Sequence, residues 1–128
     1  MNIQTPLKNV IYFIFDAEAA KKLLTIFAEK SGAISSEHPQ IREISFQEAE
    51  DDYIKIIGRK NRKVILSLSA ETFEHGIWMI EYYLLNSYFN VAEFCEFEVI
   101  SDQQNHRAAS TNPENRRTIQ IYFFHEAP

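Results

Sequence analysis

The order in which strand-like and helix-like stretches follow one another predicts an α+β fold. It is that of a ferredoxin-like βαββαβ sandwich with an extra C-terminal strand, an antiparallel sheet carrying two helices on one face. Three observations carry the expectation. Residues 10–15, VIYFIF, are β-branched and aromatic at every position, as a strand covered on both sides requires. Residues 17–31 and 70–89 have the apolar spacing of helices, and between them two strand-like runs flank a turn. After the second helix, two more strand-like runs complete the chain.

The elements follow in order. Residues 1–8 form a lead-in, since Pro6 disfavours early helix. Asp16 is placed to cap a helix from Ala17 to about Ser31, in which Ala20, Leu23, Leu24, Phe27 and Ala28 share a face and Gly32 supplies a left-handed stop. Residues 33–40 read as a loop containing Pro39. Ile41, Ile44 and Phe46 then fit neither the helical nor the strand period, which predicts a short edge strand or irregular cover. Tyr53–Ile57 and Val64–Leu68 read as a hairpin whose tip carries Arg59, Lys60, Arg62 and Lys63.

Ser69 is placed as N-cap of the second helix, with Glu71 in the first turn where the helix dipole favours a negative charge. That helix, 70–89, bears two apolar stripes where a surface helix needs one: Phe73, Ile77, Ile80 and Leu84, and beside them Trp78, Tyr82, Leu85 and Phe89. Residues 91–100 are strand-like, but the run Glu93, Phe94, Cys95, Glu96, Phe97, Glu98 breaks alternation and predicts a bulge. Residues 101–117 read as a long polar loop, and Thr118–Phe124 as the closing strand. No internal repeat is visible, and 128 residues suit one domain spanning 1–128.

Composition narrows the function classes. A net charge of −5 argues against direct nucleic-acid binding, whose affinity comes mostly from Lys and Arg on phosphates. The longest apolar run, Val10–Phe15, is far short of the roughly 20 residues of a membrane span, so no membrane partner is expected. A lone cysteine, Cys95, excludes an internal disulfide and favours a reducing, cytoplasmic setting. Its neighbours Glu93 and Glu96 would raise its pKa, the opposite of what a nucleophile needs. His38, His75, His106 and His125 are scattered without metal-ligand spacing, and three glycines cannot build a phosphate-cradling loop. No cofactor, no metal and no catalysis are therefore expected.

What remains is the acidic cluster Glu48, Glu50, Asp51 and Asp52 together with exposed-looking rings such as Trp78 and Tyr82. Aromatic anchors in a charged field are the makings of a protein interface. The expectation is a non-catalytic inhibitor of immunity-protein type. It would neutralise a basic toxin or nuclease by occluding its active site, with the acids standing in for phosphates. The alternative is a small oligomeric ferredoxin-like enzyme or ligand-binding domain, with Tyr12, Tyr53, His75 and Tyr122 converging on a site between subunits. A bare sheet face would serve a homodimer.

Overall fold

The computed structural model of the chain describes residues 1–100 and 117–126. The polar loop expected at 101–117 therefore lies outside the described residues except for Arg117. Ten elements follow one another: β1 (Asn2–Leu7), β2 (Val10–Phe15), α1 (Ala17–Glu29), β3 (Ser31–Ser35), β4 (Ile41–Glu48), β5 (Tyr53–Ile57), β6 (Arg62–Leu68), α2 (Ala70–Asn86), β7 (Glu93–Val99) and β8 (Thr118–His125).

The eight strands form one sheet, in the order β1-β2-β8-β7-β5-β6-β4-β3, curled into a half-barrel. This overturns the ferredoxin-like expectation. The sheet is mixed: β2 with β8, β4 with β6 and β5 with β7 are parallel pairs, and the other neighbours are antiparallel. The physical reason is the path of α1, which carries the chain from the second position in the sheet to the far edge.

Two strands escape the sequence pattern altogether. β1 contains Pro6 and shifts register between Gln4 and Leu7, which an edge strand tolerates because half its amides face no partner. β3 is the other edge, five residues with one fully buried side chain, Ile34. The missed period in β4 has a local cause. Its pairing with β6 shifts between Ile41 and Glu43, so Ile41, Ile44 and Phe46 all reach the interior despite a three-residue step. The predicted bulge in β7 is present, between Glu93 and Cys95.

The interior lies on one face of the sheet. Ile11, Phe13 and Phe15 of β2, Leu66 and Leu68 of β6, and Ile119, Ile121 and Phe123 of β8 are buried there with the apolar sides of both helices. Rings knit the layers: Phe27 of α1 meets Phe46, Phe73 and Phe94 edge-on or tilted at 5.2 to 5.8 Å, and Phe123 stacks on Phe94 at 4.5 Å. On the other face Tyr12, Ile14, Tyr122 and Phe124 are half-buried, with Tyr12 edge-on to Phe124 at 4.7 Å.

Both helix starts are as expected. Asp16 accepts from the Ala19 amide and Ser69 from the Thr72 amide. The ends differ. Lys30, at φ 58°, closes α1 two residues before Gly32, its N–H reaching the carbonyls of Ile26 and Phe27. Ser87, at φ 66°, closes α2 short of the expected end at residue 89. Gly32 instead belongs to β3, where a Cβ would press to 2.8 Å from Ile26.

The topology repeats itself. β1-β2-α1-β3-β4 and β5-β6-α2-β7-β8 are the same succession, and the sheet order reads as 1-2-8-7 followed by its counterpart 5-6-4-3. One constant offset carries Asp16, Ala20, Ile26 and Phe27 onto Ser69, Phe73, Met79 and Ile80. Equivalent bonds recur where the strands end: Ala49 N–H to the Leu68 carbonyl, and Glu126 N–H to the Phe15 carbonyl, at 2.9 and 2.8 Å. The two halves share almost only their burial pattern, which is why no repeat is visible in the letters.

Candidate functional site

β2, β4, β6 and β8 all run in one direction, so their C-terminal ends and the starts of both helices lie at one end of the sheet. The acidic cluster sits at that end, in the β4–β5 connection beside the start of α2. Glu48, Glu50 and Glu71 line one shallow hollow, and Glu50, Asp51, Asp52 and Glu98 another.

The four acids do different work. Asp52 is turned inward, accepting from the Ser69 N–H at 2.8 Å and the Thr72 hydroxyl at 2.7 Å, with the Cys95 thiol 3.7 Å away. It holds the first turn of α2 to the β5 side of the sheet, so both its carboxylate oxygens are committed within the fold. Glu48 is half-committed, exposed but paired with Lys30 at 3.2 Å. Glu50 and Asp51 point to solvent. These two carry what free negative charge the loop presents.

Trp78 and Tyr82 lie on the side of α2 away from the core, and the structure extends them into a ladder. His75, Trp78, Tyr82 and Tyr88 follow one another with ring centroids 6.1, 6.0 and 5.6 Å apart. The core-facing stripe is Phe73, Gly76, Met79, Ile80 and Tyr83, with Ile77 and Leu84 on its flank. Trp78 and Tyr88 each remain 47% exposed and Leu85 84%. The Tyr82 and Tyr88 hydroxyls are 3.1 Å apart, and that bond raises the Tyr82 pKa. Helical spacing continued to 89 puts Phe89 rather than Tyr88 beside Trp78 and Tyr82, but α2 ends at Asn86 and the chain beyond it brings Tyr88 to the ladder.

Charge around the ladder is one-sided. From Val64 to Ile100 the chain has no Lys or Arg, and Glu71, Glu74, Glu81, Glu93 and Glu96 are exposed there. Every formal charge that α2 and β7 themselves carry, apart from the histidine, is therefore negative.

Within one chain the residues of the alternative site lie on separate elements. Tyr12 meets Tyr122 at 5.8 Å, Tyr53 lines the hollow beside Asp51, and His75 lies on α2 against Phe94. Cys95 has its pKa pushed up to about 12, first by burial and then by the Asp52 carboxylate. The direction is the one expected from its neighbours in sequence, but the main charged neighbour is Asp52 from the β4–β5 connection. Among the described residues no group of three or more His, Cys, Asp or Glu could hold a metal ion, and no helix is long and apolar enough to cross a membrane. No family model, curated protein or solved structure matches the chain.

Proposed function

We propose that this chain is a non-catalytic binding protein that engages a basic protein through the outer side of α2 and the acidic end beside it. The observation that carries the reading is the ring ladder His75–Trp78–Tyr82–Tyr88, left outside an interior that is already filled, on a helix whose own ionised side chains are glutamates and whose sequence holds no Lys or Arg. Rigid rings bury large area at little conformational cost, and interface hot spots are enriched in Trp and Tyr. The bordering glutamates, with Glu50 and Asp51, steer a cationic surface toward them.

In its inhibitor form the mechanism is steric. The protein would lie across the cationic cleft of a toxin or nuclease, with carboxylates where phosphates would bind and rings excluding water from the contact. A basic partner co-purified from the native host provides the test. The single tryptophan, Trp78, should shift its fluorescence to shorter wavelength on titration with that partner, since its ring leaves water. Trp78→Ala should weaken the complex by roughly two kcal/mol or more, the size of a hot-spot truncation. Glu50→Lys with Asp51→Lys should slow association, and added salt should slow the wild type in the same way. Association unaffected by both changes would refute the surface.

A further inference from the structure

The end of the sheet opposite the acidic cluster holds a cavity of about 330 Å³. It opens where β2, β4, β6 and β8 begin, on the face that the helices cover elsewhere, and no residue of α1 or α2 lines it. Its floor is apolar: Ile11, Ile41, Val64 and Ile119 are buried side chains, and Ile56 is half-buried. Ile11 and Val64 are counterparts in the two repeats, so the hollow lies on the seam where the halves meet.

Its rim is cationic. Lys8, Arg62 and Arg117 line it from three separate strand starts, and no carboxylate among the described residues does. Arg117 is held in place by Asn9 Oδ1 and the Lys8 carbonyl, at 3.3 and 3.4 Å. Arg62 and Lys8 form no salt bridge with a carboxylate among the described residues, in a chain whose acids outnumber its bases. His38 walls one side, its Nδ1 accepting from the Gln40 N–H at 3.0 Å and its Nε2 3.4 Å from Thr5 Oγ1.

A concave apolar site of about 300 Å³ or more with a few convergent polar groups is the form of a small-molecule pocket. We propose that this cavity binds a small organic anion with an apolar body, a medium-chain carboxylate being the simplest member of the class. The tail would replace water against Leu7, Val10 and Ile56, the lining apolar side chains that keep exposed surface, above the enclosed Ile11, Ile41, Val64 and Ile119. The carboxylate would meet the guanidinium forks of Arg62 and Arg117, whose planar donors match its two oxygens. Lys8 adds charge without a fixed geometry. The basic hairpin tip thus supplies one of three cations at a mouth, a juxtaposition only the sheet order creates.

Calorimetric titration of the full chain with sodium octanoate tests this. Saturable one-to-one binding is expected with a Kd below about 1 mM. Shortening the chain to hexanoate should weaken it by about fourfold for each methylene removed. Octanol, with the same tail and no charge, and inorganic phosphate, with charge and no tail, should each bind at least about tenfold more weakly. Arg62→Gln should cost about tenfold, and Ile56→Phe, which fills the space from a half-buried position, should abolish the heat. Glu50→Lys with Asp51→Lys, at the far end, should leave octanoate binding intact, so the outcome is independent of the partner-binding surface. The proposal is overturned by any of three results: no saturable octanoate heat, octanol binding as well as octanoate, or unchanged binding by Arg62→Gln in a protein that melts like the wild type.

Discussion

Cys95 illustrates how far a residue's chemistry is set by what the fold brings to it. Burial and the Asp52 carboxylate, which accepts its S–H, keep the thiol protonated to about 12 against an ordinary 9.0. At about pH 8 its thiolate fraction should be at least a hundredfold below that of the same cysteine in the unfolded chain. Ellman's reagent should accordingly react far more slowly with native protein than with protein in urea. The same shift has a sign for stability. Folding favours the protonated thiol, so that contribution is intact below pH 9.0 and is lost as the pH rises toward 12. Tyr83, its hydroxyl bonded to the Phe15 carbonyl and its pKa raised by burial, adds a loss of the same sign at higher pH. Comparison of wild type with Cys95→Ala isolates the cysteine: the variant's denaturation midpoint should fall less steeply between pH 9 and 12. Parallel curves, or equal reagent rates in the folded and unfolded chains, would rule out the shift.

The two helices meet at a position that propensity alone would fill differently. Gly76 lies mid-helix in α2, where glycine costs about 1 kcal/mol against alanine. A Cβ there would fall on the Phe27 ring of α1, 2.2 Å from Cε2 and 2.6 Å from Cδ2, with Phe94 at 3.0 Å on the other side. Phe27 is fully buried and touches three other rings, so it has nowhere to move. Gly76→Ala should therefore destabilise the protein despite its better helix propensity, by up to about 2 kcal/mol once overpacking is offset against propensity. A urea midpoint that rises in the variant would show that the helices are free to part.

Legibility from sequence followed how local each cause is. β2, both N-caps, the β5–β6 hairpin, the β7 bulge and β8 were readable because each is written in neighbouring residues. β4 was not, since a register shift moves Ile41 onto the core face out of period. The stripe on α2 was misassigned by one position because Gly76 and Tyr83, a glycine and a polar-tipped ring, are core residues there. Asp52 looked like one acid among four until β5 placed it against Ser69 and Thr72. Trp78 and Tyr82 could be read as surface rings, whereas Lys8, Arg62 and Arg117 share a mouth only through pairings between distant strands.

Those pairings also determine whether either repeat can stand alone. The hairpins of the first repeat, β1–β2 and β3–β4, lie at opposite ends of the sheet with the four strands of the second repeat between them. Every parallel pair that joins the repeats crosses from one to the other: β2 with β8, and β4 with β6. Phe13 stacks on Phe123 and Phe27 packs on Phe73 and Phe94, so the core of each half is completed by rings of the other. An isolated first half would retain two two-stranded hairpins and one helix, and isolated hairpins are marginal in water. A chain of residues 1–51 should thus lack a cooperative thermal transition, and mixing it with residues 52–128 should restore the circular dichroism and melt of the intact protein. Splitting before Asp52 leaves the α2 cap inside the second piece, so a failure of that piece to fold could not be blamed on a lost cap. A first fragment that melts cooperatively alone would mean that the repeats are independent modules, and that the seam carrying the cavity is an interface between folded units.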